Sequence, residues 1–173
     1  MAAAGVTEVV IEFVRDNEVW AAPSVFGLAF LESFAFLSLI VPATAILFGV
    51  GALIGAAGLG FVPLYAAAVA GAFFGDWLAF ELALWLGPRV SETWPISRNP
   101  ALLQRASEWF ERWGLAAIFL GRFFGPMRAA MPLVAGVLRM PRTKFQIANL
   151  ASALVWAAGI LTPGILGARW LLA

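Results

Sequence analysis

Charge is almost missing from four long apolar stretches of this chain, and that scarcity decides its solvent. Residues 146–168 carry no charged side chain, and 25–62 carry only Glu32. Residues 65–87 carry Asp76 and Glu81, and 114–138 carry Arg122 and Arg128. Over 173 residues, 62% are hydrophobic and 12% charged, with a mean hydropathy of +0.91. A soluble domain has about a quarter of its positions charged. Half of that leaves too little polar surface to face water, so lipid must cover much of the chain. The composition predicts a single all-α integral membrane domain.

The same residues exclude much chemistry. Histidine and cysteine are both absent. That removes disulfides, thiol catalysis, thiolate or imidazole metal sites, haem ligation by histidine and Ser-His-Asp chemistry. No Gly-rich phosphate loop or nucleophile elbow occurs. The expectation is a chain that is not an enzyme and uses no metal or cofactor. Net charge is +1, with no basic cluster beyond Arg139, Arg142 and Lys144, so nothing points to nucleic acid. Lys144 is the sole lysine, so anion binding falls to arginine and proton chemistry to carboxylates. The first charges are Glu8 and Glu12, so a cleaved signal peptide is not expected.

Along the chain, residues 6–20 place Val6, Val9, Val10, Phe13 and Val14 opposite Glu8, Glu12, Arg15 and Asp16. This predicts an amphipathic helix ended by Pro23. Residues 25–62 are too long for one upright span and too short for two. A straight helix over 26–56 would measure about 46 Å against a hydrocarbon core of about 30 Å. Pro42 sits near its centre, so a re-entrant hairpin folding back at Val41-Pro42-Ala43-Thr44 is expected. Residues 65–87 are long enough to span, and Ala68, Gly71, Ala72, Gly75, Asp76 and Ala79 form a small-residue face. Asp76 on that face should look into protein. Residues 88–113 form a polar loop with an amphipathic helix from Ala101, whose Trp109 and Trp113 suit an interfacial belt. Residues 114–138, broken by Pro126 and Pro132, make a second re-entrant hairpin. After a basic turn at 139–144, residues 146–168 form a second span, kinked at Thr162-Pro163-Gly164. Gly27-Leu28-Ala29 and Gly114-Leu115-Ala116 open the two broken segments alike, which suggests an inverted repeat. The basic turn would place 88–144 in the cytoplasm and both termini opposite.

Arg122 and Arg128 are the expensive residues. An arginine at mid-membrane costs at least ~2.5 kcal/mol on insertion scales. On a continuous helix six residues turn the chain by about 600°, leaving the two side chains about 120° apart. A break at Gly125-Pro126 frees them to converge and exposes backbone N–H groups to an anion. Two readings stand side by side. Each arginine pairs with Glu32, Asp76 or Glu81 as structural glue, or the pair forms an oxyanion site, since guanidinium matches phosphate bidentately. The two are compatible if carboxylates hold the arginines until an anion arrives. Glu32 is a candidate proton-coupling group, with Asp76 in support. Glu81 lies five residues from Asp76 and on another face, so a paired-carboxylate catalytic site is not expected there.

A longer pattern runs through Phe110-Glu111-Arg112-Trp113-Gly114 and Gly121-Arg122-Phe123-Phe124-Gly125-Pro126-Met127-Arg128. It continues through Pro132-Leu133-Val134-Ala135-Gly136, Arg139-Met140-Pro141, Phe145, Asn149 and Trp156. With Gly75-Asp76, Phe80 and Gly87, and with Glu32 and Pro42, this resembles the DedA family of membrane proteins (the VTT domain) over roughly residues 27–160. Ala43 and Thr44 depart from the glycine and acid usual after the first proline, and the proline between the arginines is shifted by one position. The resemblance implies two re-entrant hairpins meeting in a helical bundle of the bacterial cytoplasmic (inner) membrane. It also implies transport of a lipid phosphate such as undecaprenyl phosphate, often driven by protons. By position, Arg122 and Arg128 would grip the phosphate, Glu32 would couple to protons, and Asp76 or the Thr44 hydroxyl would support it. The alternatives are a general phospholipid scramblase and a proton-coupled exporter of small solutes. Membrane lipids are the expected partners.

Overall fold

A computed structural model describes residues 16, 18–34, 47, 51–52, 59–92, 97 and 100–172. Regular structure among them is helical throughout. The helices are α1 (Glu18–Ser33), α2 (Phe61–Leu86), α3 (Pro100–Trp113), α4 (Leu115–Gly121), α5 (Gly125–Val137) and α6 (Arg142–Leu172), with a 3-10 segment at Gly87–Glu92. Most of the expected amphipathic helix over 6–20, and the fold-back around Pro42 and Thr44, lie outside the described residues.

Two segments, Phe61–Val90 and Arg142–Pro163, are long and apolar enough to cross a membrane. With 26 residues α2 is about 39 Å long, more than a hydrocarbon core of about 30 Å. The second span begins at Arg142, four residues before the uncharged run, and the helix continues through Pro163. The basic turn shrinks to Arg139–Pro141, with Arg139 at φ 53° closing it. By contrast α4 and α5, with 7 and 13 residues, are about 10 and 20 Å long, and neither crosses by itself.

Two prolines behave differently from expectation. Pro23 does not end a helix but lies inside α1. It removes one bond, to the Val19 carbonyl, and the helix runs on through it to Ser33. The break between the arginines falls on Arg122-Phe123-Phe124, not on Gly125-Pro126. Those two residues open α5, where proline is well suited because first-turn N–H groups have no intrahelical partner.

The central helix is α2, which packs against α1, α5 and α6. Its small-residue face is buried as the spacing predicts: Ala68, Gly71, Ala72, Gly75, Asp76 and Ala79 all point into protein. At Gly71 an added Cβ would collide with the Phe26 carbonyl oxygen, and at Gly75 with the Phe30 carbonyl oxygen. The α1 backbone therefore rests directly on α2, the close approach that small residues permit. Val25, Ala29, Glu32 and Ser33 form the matching face of α1. On the other side, α3 covers α4 and α5. Trp109 is half-buried; it packs with Ala106, Ala130 and Met131 and meets Phe124 edge-on at 5.0 Å. Trp113 alone of the two is exposed, at 49%.

The α1–α2 seam gives a stability prediction. Gly75→Leu should destabilise by about 1–3 kcal/mol through overpacking and lower the thermal midpoint in detergent. Gly159→Ala, where nothing lies within 4 Å, should leave the midpoint unchanged or raise it.

Candidate functional site

Arg122 caps the C-terminus of α4, and Arg128 lies in the first turn of α5. The short break between them leaves each free to reach a different helix. Arg122 forms an ion pair with Asp76 of α2, with the side chains 2% and 9% exposed. Its Nη2 also donates to Asn149 Oδ1 at 2.7 Å. Asn149 is fully buried, and its Nδ2 donates to the Phe73 carbonyl at 3.0 Å. One amide thus joins the arginine to the α2 backbone, and the two bonds fix which end of the amide is oxygen. Ser152 donates to the Asn149 carbonyl at 2.9 Å.

Arg128 forms an ion pair with Glu32 of α1 through Nη1. Its Nη2 donates to Ser33 Oγ at 3.2 Å. Its guanidinium carbon sits 4.8 Å from the centre of the Trp156 ring, a cation–π contact. Arg128 is therefore held on three sides.

The two arginines differ in what they leave open. Among the described residues, Nε and Nη1 of Arg122 are buried and have no hydrogen-bond partner. A guanidinium has five N–H donors, and Nη2 carries two of them. Three donors of a buried cation are therefore without a hydrogen bond among the described residues. An unsatisfied buried group costs about 1–3 kcal/mol, more where charge is involved.

The four charged residues singled out from sequence meet here, arranged as two ion pairs. Glu81 stands apart, five residues further along α2, where Arg142 binds its carboxylate bidentately at 2.7 and 2.8 Å and Trp77 Nε1 donates at 3.3 Å. Thr44 and Pro42 lie outside the described residues. Four of the backbone N–H groups expected to open at the break have partners. Phe123 and Phe124 donate to Leu120 and Gly121, and Met127 and Arg128 both donate to Phe124. The 3-10 geometry of so short a break satisfies these donors locally.

Sequence reasoning gave Asn149, Ser33 and Trp156 no role. A signal for two of them existed. Asn149 and Trp156 are seven residues apart on α6, two turns on one face, in a stretch whose other side chains are mostly apolar. Among the described residues, no group of acidic side chains could hold a metal ion.

A family model described as the VTT domain matches residues 41–166, which include Asp76, Arg122, Arg128, Asn149 and Trp156. Inner membrane protein YabI of Escherichia coli K12 is 37% identical over 158 residues, covering 89% of this chain and 61% of YabI. Inner membrane protein YghB of the same organism is 33% identical over 140 residues, covering 80% of this chain and 64% of YghB. Inner membrane protein YqjA, also of that organism, is 30% identical over 162 residues, covering 88% and 73%. The chain thus spans about three fifths of the length of YabI. No solved structure matches it.

The buried pair makes a prediction that separates its members. Asp76→Ala strands a buried guanidinium and should cost about 3–5 kcal/mol. Asp76→Asn with Arg122→Gln should cost well below the sum of the single changes, in thermal melts arranged as a double-mutant cycle.

Residues 41–166 match the VTT-domain model, and the relatives agree across most of the chain; the protein belongs to that family, the DedA family its pattern resembles, and is an inner membrane protein.

Proposed function

We propose that this protein is a lipid transporter that moves a polyprenyl phosphate carrier, such as undecaprenyl phosphate, across the inner membrane. The observation that carries the reading is Arg122, buried in a membrane domain with three N–H donors unmatched among the described residues. Phosphate oxygens are the natural complement of such a fork, and a lipid phosphate brings its own apolar anchor. Binding is the role, with no bond made or broken and no cofactor required.

In this reading α4 and α5, each too short to cross, form one re-entrant hairpin. The segment entered through α1 forms the other, and the two halves make an inverted repeat with its site at the meeting point. Asp76 and Glu32 hold the arginines while no phosphate is present. Protonating a carboxylate weakens its hold and releases the guanidinium to the incoming anion, which couples transport to protons. The Thr44 hydroxyl stands where a second acid is usual in the pattern and assists the phosphate.

The test uses vesicles containing undecaprenyl phosphate, with its appearance in the outer leaflet as the readout. Wild type should expose the lipid, and Arg122→Lys should slow exposure by about ten-fold or more, because lysine keeps the charge for Asp76 but loses the planar fork. Normal transport by Arg122→Lys would overturn the phosphate fork. Solute flux in vesicles lacking a polyprenyl carrier would instead favour the small-solute exporter.

A further inference from the structure

A groove of about 390 Å³ runs between α2 and α6, inside the usual range for ligand sites of about 300–1,000 Å³. Val62, Ala66, Ala70 and Phe73 form one wall, and Leu150 and Leu154 the other. From Val62 to Phe73 the helix rises about 17 Å. Tyr65 also borders it, but its hydroxyl donates to the Leu154 carbonyl at 3.0 Å. The lining offers hydrocarbon and aromatic surface.

Position says what fits there. Both walls belong to the segments long and apolar enough to span, so the medium at the mouth of the groove is hydrocarbon. Val62, Ala66, Leu150 and Leu154 are exposed towards it. Phe73 and Leu150 line the groove on either side, next to the bond from Asn149 to the Phe73 carbonyl. The other end of that same amide holds Arg122. One side chain therefore separates an apolar groove from a cation with open donors.

We infer that the groove between α2 and α6 seats the hydrocarbon chain of the lipid whose phosphate is received by Arg122. The assignment rests on the phosphate reading above and adds to it the path of the tail. An amphiphile with an anionic head and an apolar chain satisfies both halves, whereas a soluble anion leaves the groove to bulk lipid. A neutral lipid has the chain but no oxyanion for Arg122.

The test is photolabelling in phosphatidylcholine vesicles carrying a trace of phosphatidic acid with a diazirine on its acyl chain. In wild type the label should concentrate on residues 62–74 and 149–155, and excess unlabelled phosphatidic acid should displace it. Val62→Trp and Ala66→Trp fill the groove from exposed positions, so folding should survive, and each should lower that labelling about ten-fold. The same diazirine on phosphatidylcholine should label these residues no more than other lipid-facing surface. Label spread evenly in wild type, or unchanged in both tryptophan variants, overturns the groove; the phosphate reading then still stands if Arg122→Lys slows transport. Groove labelling that phosphatidylcholine displaces equally well, and that Arg122→Lys leaves unchanged, overturns the phosphate reading and this assignment with it.

Discussion

A guanidinium buried among apolar helices has to be neutralised, and most of the packing in this protein can be read as the means of doing so. Removing charge from water costs several kcal/mol per ion even after relaxation, and mutual attraction offsets it only with good geometry and added hydrogen bonds. Asp76 supplies the countercharge for Arg122 and Asn149 supplies the added bond. Both can reach because α2 carries a small-residue face. Gly71 and Gly75 let α1 lie on α2, bringing Glu32 and Ser33 to the depth where Arg128 emerges from α5. A Cβ at Gly75 would push away the helix end that holds Arg128. The close approach and the charge pairing are thus one constraint seen at two scales.

The break between α4 and α5 belongs to the same account. A continuous helix would aim Arg122 and Arg128 about 120° apart and allow each only the partners on its own side. Interrupting it at Arg122-Phe123-Phe124 sends one arginine to α2 and α6, and the other to α1 and α6. Phe124 at the break is held edge-on by Trp109 of α3, so the amphipathic helix fixes the geometry of the interruption. The backbone N–H groups of Phe123, Phe124, Met127 and Arg128 are satisfied locally, so most of the polar capacity at the break lies in the two side chains.

Much of this was legible in the sequence because apolar surroundings make charge conspicuous. Arg122, Arg128, Glu32 and Asp76 stand out as exceptions in uncharged stretches, and the three- and four-residue spacing of Gly71, Gly75 and Asp76 gives their face. Less legible were features set by tertiary contact. Which carboxylate takes which arginine depends on helix packing, and spacing along one chain cannot supply it. Proline position misled twice, since Pro126 opens a helix rather than breaking one, and α1 runs on through Pro23 at the loss of a single backbone bond. Asn149 and Trp156 were hidden for another reason. An amide and an indole in a span are ordinary packing residues until a cation from another helix arrives beside them.

The structure also separates two residues that the sequence treats as equals. Arg128 has a carboxylate, a hydroxyl and an aromatic face, and Arg122 has a carboxylate and an amide on one nitrogen, its other donors open among the described residues. Their contacts on α6, Trp156 and Asn149, are seven residues apart, about 10 Å along the helix axis. Two guanidiniums so placed do not form one symmetrical clamp in this conformation. The difference lies in their surroundings: among the described residues, Nε and Nη1 of Arg122 are buried without a partner, whereas Arg128 meets a ring face as well as its two oxygens. The contacts of Arg128 to Glu32, Ser33 and Trp156 tie it to α1 and α6. Breaking the Arg128 contacts would therefore loosen α5 from α1, just as breaking those of Arg122 would loosen α4 from α2.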